Sequence, residues 1–249
     1  GRSKPRRVGR PLMERRKSRL TPLFFLLIAL FLAIAQGAKA QPSTEEVLSA
    51  VVRVDAEVPA NARTAGFLGQ QRSGSGVVID KRGHILTIGY LVMEAHTVIV
   101  STASGKQLTA TVIASDSRSG VALLRLKEPL NVTPIRFGES AGLKERTEAI
   151  IASGSTMAPL QPTLVTSRRT FAGYWEYLLE DAIFTAPPHP QYAGAALIGK
   201  DGKLLGIGSL LVNDALPGRK ALAGNMFVPI NELKPILADL LQYQSLIHI

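Results

Sequence analysis

The chain has 249 residues, 29 of them Lys or Arg against 19 Asp or Glu, for a formal net charge of +10. That length supports one large domain or two small ones around a sizeable core. Residues 1–40 hold ten basic residues and one acid, whereas residues 41–249 hold 19 and 18. The body of the chain is therefore close to neutral, which argues against a nucleic-acid partner.

The basic head leads into an apolar run from Pro22 to Ala35, and Ala38-Lys39-Ala40 follows as a small-residue cleavage signal. That order is the pattern of a secretory signal peptide, with cleavage expected after Ala40 and a periplasmic or secreted location. The run is shorter than the ~20 residues of a spanning helix, so a membrane is expected to matter only if the segment stays uncleaved. Met13 would then be expected as the natural start, with residues 1–12 reading as non-native upstream sequence. There is no cysteine, which excludes thiol chemistry and leaves the exported part to rest on its apolar core. His84, His96, His189 and His248 lack metal-ligand spacing. No phosphate-cradling glycine loop occurs, and neither metal nor cofactor is expected.

After the head, short runs rich in Val, Ile, Leu and Thr recur between Gly, Asp, Asn and Pro. "GVVID", "KRG" and "HILTIGYLV" read as strand, turn and strand, with Gly83 in the turn. "HTVIVST", "LTATVIAS" and "VALLRLK" continue a first block over 44–130, and 131–146 reads as a linker. A second strand-rich block over 147–230 includes "AIIASGS", "TLVTSRR", "AIFTAP", "GAALIGK" and "KLLGIGSLLV", with "GKDGK" as a hairpin turn. The segment 231–243 has apolar residues at helical spacing, with Asn231 available as its N-cap. The predicted fold is all-β: two six-stranded antiparallel barrels and a C-terminal helix, preceded by the signal segment.

Four ordered segments carry a resemblance. "GSGVVIDKRGHILTIGYLV", "DSRSGVALLRL", "APPHPQYAGAALIGKDGKLLGIGS" and "NMFVPINELKPIL" resemble the conserved stretches of trypsin-like serine proteases of the HtrA/Deg type, over about residues 44–243. The resemblance implies a bacterial, exported endopeptidase with a double barrel. It also implies where the chemistry belongs, and there the chain departs. The general-base histidine position holds Tyr90, the orienting aspartate position Gly120 and the nucleophile position Ala193. Alanine cannot be acylated, glycine orients nothing, and a phenol with a pKa near ~10 is a poor base at neutral pH.

Substitutes are scarce. His189 lies four residues before Ala193 and Asp116 four before Gly120. His189 reads as a surface histidine, and His84 and His96 as surface or strand-end residues. In the oxyanion loop, Gln191 stands where the family has glycine, followed by Tyr192 and Gly194. The strand "LLGIGSLLV" resembles the family's substrate-facing strand, so Ser209, Leu210 and Leu211 would offer backbone groups to an extended peptide. The aromatic stretch from Phe171 to Asp181, with Tyr174, Trp175 and Tyr177, is either strand filling or a recognition patch. The expectation is thus an inactive serine protease homologue, a pseudoprotease, that binds polypeptides or regulates a partner. The alternatives are an active endopeptidase with a non-standard site and a structural assembly subunit.

Overall fold

Val51, Val52, Val54 and Ala56 are buried along β1 (Val51–Glu57) while Arg53 and Glu57 face out. This is the period-two pattern of a strand with one face on a core. The computed structural model describes residues 42–173, 178–218 and 221–242. The signal segment, Tyr174, Trp175, Tyr177 and His248 lie outside the described residues.

The first barrel contains β1, β2 (Gln71–Val78), β3 (His84–Ile88), β4 (Thr97–Ser101), β5 (Gln107–Asp116) and β6 (Val121–Leu126). They close in the order β1-β2-β3-β6-β5-β4. The second contains β7 (Glu148–Ala152), β8 (Leu160–Ala172), β9 (Leu178–Ala186), β10 (Ala196–Gly199), β11 (Leu204–Val212) and β12 (Gly224–Pro229). It closes as β10-β11-β12-β9-β8-β7, and all pairings within both barrels are antiparallel. Closure leaves neither sheet with a free outer strand, although β11 runs past the end of its pairing with β10. One buried apolar cluster runs from Val54, Ile85 and Leu123 of the first barrel to Phe184, Ile207 and Met226 of the second.

A short helix, α1 (Thr44–Ser49), precedes β1. Ser43 caps it: its Oγ accepts from the Glu46 N–H at 3.1 Å, and its own N–H donates to the Glu46 carboxylate at 2.9 Å. Two more single turns follow, α2 (Ala65–Leu68) and α3 (Gly89–Val92). The segment "HILTIGYLV" is thus a strand only as far as Ile88. Its last four residues turn into α3.

The β2–β3 turn shows why a hairpin forms there, and it corrects the expectation for His84. Gly83 takes φ +82°, open to glycine without a Cβ penalty. Asp80 Oδ1 accepts from the N–H groups of Arg82 at 2.9 Å and His84 at 3.1 Å. Its Oδ2 lies 2.6 Å from His84 Nδ1. His84 stands at the end of a strand, as one of the two readings had it, but is fully buried and not on the surface, with its imidazole closing the turn. Burial opposes ionisation of Asp80, but the bonds from His84 and Arg82 outweigh it and hold the carboxyl below its ordinary value. Such a group stabilises the fold above its unfolded pKa of ~4 and ceases to do so as pH falls through the lower folded value. Asp80→Ala is expected to cost about 2 kcal/mol at pH 7, with a smaller deficit in acid. Urea midpoints of both proteins at neutral and acidic pH check this, and a deficit that grew in acid would refute the sign.

The linker between β6 and β7 is bonded to both barrels. Ile135 N–H donates to Val78 at 3.0 Å, and Leu204 N–H donates to Arg136 at 2.8 Å. The C-terminal helix, α4 (Ile230–Gln242), buries Ile230, Leu233 and Leu237. Asn231 is not its N-cap, since the helix already includes Ile230. The Asn231 side chain turns back to the linker instead: Oδ1 accepts from Ser140 N–H at 3.0 Å and Nδ2 donates to Glu139. Lys234 adds a 3.1 Å ion pair with Glu139.

Candidate functional site

Tyr90, Gly120 and Ala193, the positions where the resemblance places the triad, lie along the seam between the barrels. β3 delivers the chain to α3, where Gly89 N–H donates to the Gly120 carbonyl at 2.7 Å and brings Gly120 beside the Tyr90 turn. Gly120 has φ +73° and ends a tight turn in which its N–H meets the Asp116 carbonyl at 2.8 Å. The Asp116 carboxylate accepts from Ser119 N–H at 2.8 Å and so closes its own turn.

α3 is held from below by one arginine. Arg72 is 5% exposed, and its Nη1 donates to the carbonyls of Tyr90 and Met93, both at 2.9 Å. Its Nε reaches Gly69 at 2.9 Å and its Nη2 reaches Thr64 Oγ1 at 2.8 Å. Glu94 completes the cluster by accepting from Thr64 N–H and Oγ1 at 2.8 and 2.6 Å. Those Thr64 donors hold the Glu94 carboxyl below its ordinary range. Sequence pattern gave no sign of this cluster, whose bonds join residues from 3 to 30 positions apart.

From this platform the phenol of Tyr90 crosses the seam and donates to the carbonyl of Ser209 at 2.8 Å. Ser209 is fully buried at a bulge in β11, between the pairs Gly208↔Phe227 and Leu210↔Met226. The Ser209 carbonyl is therefore not open to an incoming chain as the sequence suggested. Leu210 is half-buried and Leu211 is 51% exposed. β10 pairs with β11 only up to Ile207. Among the described residues no strand pairs with Leu210–Val212 on that side, while β12 pairs on the other.

Ala193 sits in the turn before β10, where its carbonyl accepts from Ser75 N–H at 2.8 Å. Gly194 follows at φ +72°, with its N–H on the Gly208 carbonyl at 2.9 Å. A Cβ at Gly194 would run into the Ser75 carbonyl and the Thr87 hydroxyl. Ala195 N–H bonds back to Tyr192 at 2.9 Å, which closes the turn as an ordinary tight bend.

His189 is the second histidine the structure corrects. It is fully buried, with Nε2 3.0 Å from the Ala158 carbonyl and Nδ1 accepting from Gln191 N–H at 3.0 Å. That pairing assigns the proton to Nε2, because Nδ1 must present its lone pair. Asn225, also buried, grips the His189 backbone from β12: Oδ1 accepts from its N–H at 2.6 Å and Nδ2 donates to its carbonyl at 3.2 Å. Both ring nitrogens are thus engaged within the loop. The Gln191 N–H, where the resemblance implies an oxyanion donor, is bonded to an imidazole. His96 is half-exposed and 3.7 Å from Glu57, outside this arrangement.

Among the described residues there is no group of His, Cys, Asp and Glu suited to a metal ion, and no helix long and apolar enough to cross a membrane. The profile of the trypsin-like peptidase domain matches residues 74–207. The periplasmic serine endoprotease DegP of Salmonella typhimurium is 27% identical over 186 residues, covering 70% of this chain and 38% of its own. The chain thus spans about two fifths of the length of that relative. Among solved structures, the Rv3671c protease of M. tuberculosis in its active form has a TM-score of 0.66 at 20% identity, over 80% of this chain and 84% of its own. An HtrA-type protease, AlgW, solved with a tripeptide, has a TM-score of 0.61 at 19% identity, over 81% and 63%. The chain belongs to the trypsin-like peptidase domain family and is of the HtrA type.

Proposed function

We propose that this protein is an exported, HtrA-type domain that no longer cleaves peptide bonds and instead holds extended polypeptide along the edge of β11. The observation that carries the reading is the set of groups at the three chemical positions: a phenol bonded to Ser209, a glycine and a methyl. Acyl transfer needs a hydroxyl to attack, an imidazole to take its proton and a carboxylate to hold that imidazole, and these groups supply none of them. The bond from Gln191 N–H to His189 supports the same reading, since it competes with an oxyanion for that donor. The strand stretch Leu210–Val212 supports the binding half, as a backbone edge is what an extended peptide recognises. The basic and apolar head of the sequence, and the periplasmic relative, support export.

Treating the purified chain with a fluorophosphonate probe, beside a casein cleavage assay, tests the loss of catalysis. No labelling and no cleavage are expected; labelling at any serine would sink the reading. Bound peptides recovered from the purified chain test the binding half.

Ala193→Ser is expected to leave turnover of unfolded casein at the buffer rate. Triad members act as a unit, so restoring one hydroxyl without base or orienter restores almost nothing. Clear turnover in that single variant would mean that a base exists which this account lacks.

A further inference from the structure

We infer that Tyr90 is an intrachain competitor for the peptide edge: its phenol holds the Ser209 carbonyl and must let go before a polypeptide backbone can use it. The inference deepens the polypeptide-binding reading above and rests on it.

The geometry carries it in three steps. First, β11 changes its partners at Ser209. Up to Ile207 it is covered by β10, Gly208 is bonded to Gly194 and Ala195, and from Leu210 onward only β12 pairs with it. Ser209 therefore stands where the uncovered edge begins. Second, a buried carbonyl at a bulge needs a donor, because an unpaired one costs as much as a lost hydrogen bond. Here the donor comes from 119 residues away in the chain, across the seam. A peptide N–H laid along the edge would be chemically equivalent to that phenol O–H. Third, Tyr90 is delivered by a single turn whose carbonyls are clamped by the buried Arg72. The ring is thus aimed at Ser209 by a fixed mount, and its side-chain torsions are the freedom left by which it can withdraw. The partner this fits is an extended, unfolded polypeptide.

The test compares the full chain with Tyr90→Phe, which keeps the ring and removes the donor. Fluorescein-labelled β-casein is the probe, followed by anisotropy. Tyr90→Phe is expected to bind about tenfold tighter, the effect of removing one competing hydrogen bond. A contact that merely staples the barrels would lower the denaturation midpoint and leave casein affinity unchanged. Equal, measurable affinity in both proteins overturns the competitor role and leaves the polypeptide-binding reading standing. Absence of binding by both removes that reading and the competitor with it. Should Tyr90→Phe not fold, the wild-type chain with ¹³C-labelled tyrosine gives the answer. The Tyr90 ring resonance shifts on saturation with casein if the phenol is displaced, and an unmoved resonance at saturation overturns the inference.

Discussion

Gly194→Ala is expected to lower stability by about 3 kcal/mol or more, a large part of what a domain of this size has to lose. Two effects add. The residue sits at φ +72°, where an L side chain costs roughly 1–2 kcal/mol. The new methyl would also meet the Ser75 carbonyl, which already accepts from Thr87 Oγ1 at 2.7 Å, and the Thr87 hydroxyl itself. Neither neighbour can yield cheaply. Ser75 lies in β2, paired with Arg53 of β1, and its N–H bonds the Ala193 carbonyl. Thr87 lies in β3, where all five residues are buried. The strain therefore spreads along the line where the barrels meet, since packed interiors transmit displacement instead of absorbing it. Urea denaturation of the wild type and the variant measures the loss. A Gly105→Ala control removes a positive-φ glycine with nothing within 4 Å of its Cβ, and so isolates the backbone cost alone. Equal losses in the two variants would show that crowding at the seam contributes nothing.

Turns and barrel strands were readable because their signals are local. Gly83, Gly105 and Gly202, each in a turn between strands, all have positive φ, and the Gly202 N–H bonds Gly199 at 2.9 Å as a hairpin requires. The double barrel followed from many such turns plus the resemblance. The capping box at Ser43 and Glu46 is equally local, and its spacing was available in the sequence. Most of what escaped depends on a distant partner; the burial of His84 does not, since Asp80 lies only four residues away. His84 and His189 look alike in sequence to solvent-facing histidines. Their burial comes from an acceptor at Asp80 in one case and from Ala158, Gln191 and Asn225 in the other. Asn231 has the chemistry of an N-cap, but the Ser140 backbone 91 residues earlier captures it. At the candidate site, the identities of Tyr90, Gly120 and Ala193 could be read from the chain. That the phenol would bond the very strand expected to receive peptide could not, because nothing local links residues 119 apart.

Arg72→Met tests how much of the site is set by the cluster beneath it, and is expected to cost about 3–5 kcal/mol. Methionine fills much of the same space, so the loss reports the guanidinium and not a cavity. Without it the carbonyls of Gly69, Tyr90 and Met93 lose a donor in a part-buried setting, and the buried Thr64 Oγ1 loses another. Glu94 would keep its Thr64 donors and lose the cation that faces it. Burial lowers the Arg72 pKa and Glu94 offsets only part of that, yet a guanidinium remains a cation at neutral pH. Arg72→Lys is the informative partner variant. An ammonium keeps the charge but cannot reach four acceptors from a planar fork, so it should recover less than half of the lost stability. Full recovery by lysine would mean that charge opposite Glu94, and not the fork, secures α3. Because α3 carries Tyr90, both variants should also loosen its bond to Ser209. Casein affinity in Arg72→Lys should then move toward that of Tyr90→Phe. A stable Arg72→Lys protein whose affinity stays at the wild-type value would separate the mount from the residue it carries.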